Sequence, residues 1–247
     1  MIQVEDLHHG FKGTDILRGV NLRVESAETL VIIGRSGGGK SQLLRLIASL
    51  AKPRRGRIFI DRQDWVPLEE RTLTPLRKKI GILFQNAALF DSMTVYENVA
   101  FPLAISGRNS KRDIRGRVEE ALKLVSLEGH GHKKPGEISG GMRKRAGLAR
   151  AIIDRPSIVL YDEPTAGLDP VIADSINNLI LKLSEQFHVT SIVVTHDMVS
   201  AYKVADRIGM LYEGKILESG TPAEIQNSQN PVVQKFIQGR SDVLVDI

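Results

Sequence analysis

The sequence predicts a mixed α/β protein: a core of strands alternating with helices, an antiparallel β portion at the N-terminus, and an inserted all-helical subdomain. Three observations carry this prediction. Apolar, β-branched runs at Leu30–Ile33, Ile80–Phe84, Ile158–Tyr161 and Ser191–Thr195 read as buried strands. Between the second and third of these, from Asn86 to about Arg155, only helical patterns occur. And the glycine-rich stretch Gly34–Ser41 stands between a strand and a helix.

The chain has 247 residues, 42% hydrophobic and 26% charged, which is the balance of a globular protein with a sizeable core. It contains no cysteine, so disulfides, thiolate metal sites and cysteine nucleophiles are excluded. The first residues, Met1 to Asp6, show neither a basic flank nor an apolar h-region, so no signal peptide is expected. No apolar run approaches the ~18–20 residues that span a bilayer. The net charge of +5 gathers at Arg54–Arg57, Arg77–Lys79 and Arg143–Arg145. Such clusters suit a solvated face or an anionic membrane surface. With 5% aromatic residues there is no stacking platform for nucleic acid, and none is expected as a partner.

In chain order, Ile2–Leu7 and Val20–Val24 are expected as short strands flanking a turn-rich stretch, Gly10–Asp15. Phe11 lies in that stretch and reads two ways, as a plug for local core or as a ring stacking on adenine. Gly34-Arg35-Ser36-Gly37-Gly38-Gly39-Lys40-Ser41 then has the form G-x-x-x-x-G-K-[ST] between strand and helix, the context of a phosphate-binding loop. Glycines there let successive N–H groups turn inward, and the helix that follows adds its positive end. Lys40 reaches the β- and γ-phosphates, and the Ser41 hydroxyl takes a place on Mg²⁺. The core is therefore expected to be a P-loop NTPase (RecA-like) fold.

Pro53–Gly56 turns into the strand Arg57–Asp61, and Ile80–Phe84 runs into Gln85, either an edge residue or a group for Mg²⁺ or the attacking water. Thr94 and Glu97 form a capping box opening a helix through Leu103. Ser110 precedes a second helix with Ile114, Val118, Ala121, Leu122 and Val125 on one face, and Ser139 starts a third with Met142, Ala146, Ala149 and Ile153. The strand Ile158–Tyr161 ends in Asp162-Glu163, placed to hold Mg²⁺ and to take a proton from water, respectively. Pro170 begins a helix through Phe187. His196 follows the strand Ser191–Thr195, where it is either structural or bonded to the γ-phosphate. Arg207–Tyr212 and Lys215–Ser219 form a hairpin turning at Glu213-Gly214, and helices follow from Thr221-Pro222 to about Gly239. The tail 240–247 carries an apolar cluster, either frayed or docked on a neighbour.

Ile138-Ser139-Gly140-Gly141-Met142 resembles the signature sequence of the ABC ATPases, whose commonest form is Leu-Ser-Gly-Gly-Gln. The other landmarks follow in the same order over nearly the whole chain. Phe11 matches the adenine-stacking aromatic, and Gly34–Ser41 the Walker A loop, with Gln42 after it where threonine is frequent. Gln85 matches the Q-loop, Ile158–Asp162 with Glu163 the Walker B strand and catalytic acid, Ala166–Asp169 the D-loop and His196 the H-loop. The resemblance implies a single ABC ATPase domain, with core 1–85 and 156–225, helical subdomain 86–155, and C-terminal helix and tail 226–247. It implies ATP and Mg²⁺ as cofactors. Glu163 would be the base, Ser41, Gln85 and Asp162 would surround Mg²⁺, and Lys40 and His196 would stabilise the γ-phosphate. Ser139, Gly140 and Gly141 would reach ATP on the other subunit of a homodimer, with Asp169 also at the nucleotide.

Phe84–Leu103 and Met142 further resemble the ATPase of Mla-type phospholipid transporters. That implies integral-membrane permease subunits, a lipid-carrying mammalian-cell-entry (MCE) domain protein, and a place on the inner face of the cytoplasmic membrane. The rival expectations are an ABC ATPase serving an amino-acid, metal or lipoprotein transporter, or one acting on ribosomes or DNA without a membrane.

Overall fold

The computed structural model describes residues 1–11, 13–107 and 109–240. The chain separates into two units, Met1–Pro75 with the segment from Thr190 onward, and Leu76–Val189. The apolar cluster at Val243, Leu244, Val245 and Ile247 lies outside the described residues.

The first unit opens with β1 (Ile2–Phe11) and β2 (Thr14–Val24), an antiparallel hairpin. Both strands are longer than expected, because Gly10 and Phe11 pair with Asp15 and Thr14 and draw the turn-rich stretch into the ladder. In β2, Leu17, Val20, Leu22 and Val24 are buried, while Arg18, Asn21 and Arg23 face outward. That alternation is the pattern of a sheet with one wet face. β3 (Thr29–Ile33) is buried at every position and leads into the loop before α1 (Lys40–Ile47). β4 (Arg55–Ile60) and β5 (Gln63–Asp64) complete an antiparallel sheet of order β2-β1-β4-β5. α2 (Glu70–Arg77), a helix the sequence reading did not anticipate because Pro75 lies inside it, carries the chain into the second unit.

There β6 (Ile80–Leu83) is followed by α3 (Val95–Ser106), α4 (Lys111–Leu124), α5 (Gly140–Ile152), β7 (Ile158–Asp162) and α6 (Pro170–Phe187). β6 and β7 pair in parallel, Leu83 opposite Tyr161. α5 is the hub of this unit, packing on α3, α4, α6 and β6. α3 begins with the predicted box: Thr94 Oγ1 accepts from Glu97 N at 3.2 Å, and Glu97 Oε2 accepts from Thr94 N at 2.7 Å. It runs one turn past Leu103 despite Pro102, and stops at Gly107 in the left-handed region. By contacts, β6 and β7 fall with α3–α6, and α5 lies directly on β6.

The chain returns to the first unit through β8 (Thr190–Thr195), α7 (Met198–Val204), β9 (Arg207–Tyr212), β10 (Lys215–Gly220), α8 (Pro222–Gln226) and α9 (Pro231–Ile237). Within this unit the strands lie in the order β10-β9-β3-β8, with β3 parallel to β8 and β9. Glu213 and Gly214 both have positive φ, which is the turn that closes a two-residue hairpin between β9 and β10. Like β3, β8 is buried throughout, as strands covered on both faces require. Among the described residues, no helix is long and apolar enough to cross a membrane.

Candidate active site

In the first unit, Ile33 pairs with Thr195 in parallel, so the loops beginning at Gly34 and His196 leave the same end of neighbouring strands. That is the edge where α/β sheets bind ligands. Gly39, the residue before α1, sits at φ 97° and offers the helix no side-chain cap. A Cβ there would come within 2.8 Å of Ile16 and 2.9 Å of Leu17, so both conformation and space demand glycine. The first N–H groups of α1 are therefore not taken by a side chain of the N-cap residue. Lys40, buried, turns back over its own loop and donates to Gly34 O at 2.8 Å and Arg35 O at 3.1 Å. Its ammonium is thus held at the mouth of the loop.

Gln42 departs from the common threonine and makes a contact the sequence did not reveal: its Nε2 donates to His9 Nε2 at 3.0 Å. His9 in turn stands edge-on to Phe11, with ring centroids 5.1 Å apart and planes at 90°. Phe11 is 56% exposed, so the local-plug reading of this ring does not hold. The ring is exposed on one side and braced through His9 to the phosphate-loop helix. Past Thr195, Asp197 fixes the turn around the exposed His196. Asp197 N donates to Thr195 Oγ1 at 3.0 Å, and its carboxylate accepts from Val199 N and Ser200 N to start α7.

In the second unit, the ends of β6 and β7 bring Gln85 and the Asp162-Glu163 pair together, since Leu83 and Tyr161 are register partners. Gln85 is exposed; Asp162 and Glu163 are each 7% exposed. Glu163 has φ 48°, in the left-handed region a non-glycine residue seldom adopts. The residue sequence reasoning missed is Lys144. From one turn inside α5 its buried Nζ donates to Gln85 O at 2.5 Å and Glu163 O at 2.9 Å. Burial pushes this ammonium below the ordinary lysine range, while the carboxylates of Glu163 and Asp162 pull the other way. Nothing in the pattern of α5 marked Lys144 out from the other basic residues beside it. Only its three-residue spacing to Gly147 and Arg150, which also touch the Gln85 loop, would have done so.

The signature residues occupy the start of α5. Ser139 is its N-cap, with Oγ accepting from Met142 N at 3.3 Å. A Cβ on Gly141 would lie 2.6 Å from Ile172, so glycine lets α5 approach α6. Asp169 spends its carboxylate on the N-terminus of α6, accepting from Val171 N at 3.1 Å and Ile172 N at 3.0 Å.

A strand, a glycine loop and an uncapped helix with its lysine at the loop mouth define a P-loop nucleoside triphosphatase. The comparisons with known proteins narrow this. The family described as ABC transporter matches residues 17–166. The chain is 42% identical, over 97% of its length and 69% of the relative's, to the "Probable ribonucleotide transport ATP-binding protein mkl" of Mycobacterium leprae. It is 40% identical, over 96% of its length and 67% of the relative's, to the "Sulfate/thiosulfate import ATP-binding protein CysA" of Synechococcus elongatus. Among solved structures, the dimeric post-hydrolysis state of the ATP-binding cassette MJ0796 with ADP and Pi superposes with a TM-score of 0.83 at 34% identity, covering 90% of this chain and 99% of that one. The cassette cbiO1 of Clostridium perfringens gives 0.84 at 30% identity, covering 100% of this chain and 98% of that one. The chain belongs to the ABC transporter family. It is the ATP-binding, ATP-hydrolysing subunit of such a transporter, and its cofactors are ATP and Mg²⁺.

Proposed function

We propose that this ATPase drives phospholipid movement between membranes through a permease, with an MCE-domain protein carrying the lipid and two copies of this chain acting on the inner face of the cytoplasmic membrane. The support for the cargo lies in the Phe84–Leu103 segment and Met142. That segment carries the Phe90–Phe101 ring pair at 4.9 Å, with Phe90 43% and, just beyond it, Ile105 69% exposed. An apolar surface of this kind suits a coupling helix of a permease. The relatives carry names for ribonucleotide and for sulfate or thiosulfate transport at nearly equal identity. Likeness over the whole cassette therefore does not choose the cargo, and a ribonucleotide or another small solute is the rival.

For the chemistry, the observation that carries the reading is Lys40 folded over its loop beneath the uncapped start of α1. Phosphate oxygens would take N–H groups of the loop and of α1 together with the Lys40 ammonium, while Phe11 stacks on adenine. Ser41, Gln85 and Asp162 offer hydroxyl, carboxamide and carboxylate oxygens, a donor set suited to Mg²⁺. Among the described residues, no cluster of three or more His, Asp or Glu forms a metal cage. Mg²⁺ commonly completes its shell with phosphate oxygens and water, and it would neutralise charge on the β- and γ-phosphates. Glu163 accepts the proton of the attacking water, and His196 bonds the γ-phosphate. Ser139, Gly140 and Gly141 present N–H groups to ATP held by the other subunit, with Asp169 beside them. ATP then favours the closed dimer because it binds that state better, and hydrolysis releases it.

Two experiments test this reading. Glu163→Gln is expected to bind ATP normally, to lose about 100-fold or more in kcat, and to accumulate as a dimer in size-exclusion chromatography with ATP. Hydrolysis at the wild-type rate would remove Glu163 from the role. For the cargo, the tagged chain is purified from native membranes and its partners and lipids are identified by mass spectrometry. A multi-helix permease with an MCE-domain protein and phospholipid is the expected result; a permease free of lipid would discard the cargo, and no membrane partner would discard transport.

A further inference from the structure

We infer that Lys144 is a positioning residue for hydrolysis, its ammonium binding the Gln85 and Glu163 carbonyls to the signature helix so that the two residues hold their working geometry only while α5 holds its place. The inference rests on the roles proposed above for Gln85 and Glu163.

The geometry is specific. One nitrogen, on a lysine that is 5% exposed, serves two carbonyls that lie 59 and 19 residues away in the chain. An ammonium has three donors on one tetrahedral atom, and burying it is costly unless they are used. Apolar packing alone would be met at lower cost by methionine or leucine. One of the carbonyls belongs to Glu163, whose left-handed φ of 48° sets the direction of its side chain. That same carbonyl also accepts from Ala166 N at 3.3 Å, so the peptide is held from both sides.

Two further residues of α5 extend the contact along the loop after β6. Gly147 faces Ala87 so closely that a Cβ would lie 3.0 Å from the Ala87 methyl and 2.9 Å from Leu83. Arg150 donates from Nη2 to Ala87 O and from Nη1 to Ala88 O, both at 2.7 Å. Ala87 and Ala88 are themselves left-handed, at φ 58° and 47°. Residues 144, 147 and 150 recur every three positions and so lie along one side of the helix. Of the three, only Lys144 also reaches Glu163. A displacement of Ser139 and Gly140 at the start of α5 is therefore felt one turn later at the backbone of the acid and at that of the glutamine.

The test uses the full chain, measuring steady-state hydrolysis and equilibrium binding of a fluorescent ATP analogue. Lys144→Met is expected to lower kcat about tenfold or more, while KM and the analogue's Kd stay within about twofold. Lys144→Gln keeps two donors on a shorter arm, and its kcat is expected to fall only about two- to fivefold below wild type at unchanged KM. Leu148→Ala, a cavity in the same helix, controls for stability: its melting temperature falls, but its kcat at 25 °C stays within about twofold. The inference is overturned by a Lys144→Met kcat within twofold of wild type, by a KM that rises in step with the loss, by Leu148→Ala losing as much kcat at equal melting temperature, or by Lys144→Gln behaving no better than Lys144→Met. Should Lys144→Met not fold, Lys144→Gln decides, since an unchanged kcat there overturns it too. Glu163→Gln run in parallel separates the two levels: rapid hydrolysis by that variant strikes the role of Glu163 itself, whereas rapid hydrolysis by Lys144→Met strikes only the clamp.

Discussion

α1 and α3 both begin just after a loop, yet their first turns are finished in opposite ways. α3 closes on itself: Thr94 and Glu97 exchange hydrogen bonds so that two of its end groups are satisfied, and Glu97 puts negative charge at the positive end. α1 has a left-handed glycine for an N-cap, no side-chain cap and no acid in its first turn. α5 stands between them, with a single Ser139 hydroxyl on Met142 N and no acid. The difference shows what distinguishes an anion site from an ordinary helix start. A structural end spends its N–H groups on its own side chains, whereas an end meant for phosphate keeps them and leaves out the acid that would repel it.

Changes at these three ends break or sharpen that contrast. The largest effect is expected at α1: Lys40→Ala should weaken ATP binding and lower kcat/KM by about 100-fold or more, measured by calorimetry and steady-state rates, with little change in melting temperature. Retained affinity would mean that the loop and the helix end suffice alone. At α5, Ser139→Ala should cost about 1 kcal/mol of stability through the lost cap. It should also reduce hydrolysis more than ATP affinity, a split that a purely structural cap would not produce. The smallest effect is expected at α3. Hydrogen bonds from Thr94 hold the Glu97 carboxyl below the usual carboxylate range. A depressed folded-state pKa stabilises the fold above the unfolded value of 4.5, and that contribution is lost as pH falls through the lower folded value. Glu97→Gln should therefore lower the melting temperature slightly at pH 7, with the gap to wild type closing below pH 4.5, and leave ATP hydrolysis untouched. A gap independent of pH would show that the carboxylate charge is not what closes this end.

What could be read directly were features written into short stretches. The capping box at Thr94, the buried strands, the phosphate loop and the hairpin at Glu213-Gly214 each need only neighbouring residues, and the structure has all of them. α2 and α7 escaped because short helices leave too few turns for a periodicity to show, and Pro75 argued against the first. β1 runs past Leu7 because Gly10, a turn residue by type, has no side chain and lets the backbone of Thr14 and Asp15 pass close beside it.

By itself, then, the sequence determined the class of fold, the order of its longer strands and helices, and which residue types stand at the strand ends, because hydrophobic periodicity and turn chemistry act over a few residues. Tertiary structure alone decided that Gln42 holds His9 and His9 braces Phe11, and that Lys144 joins two loops far apart in the chain. Those pairings follow from strand register and helix packing, where a side chain's partners are chosen by the shape of the folded chain and leave no local trace in its spelling.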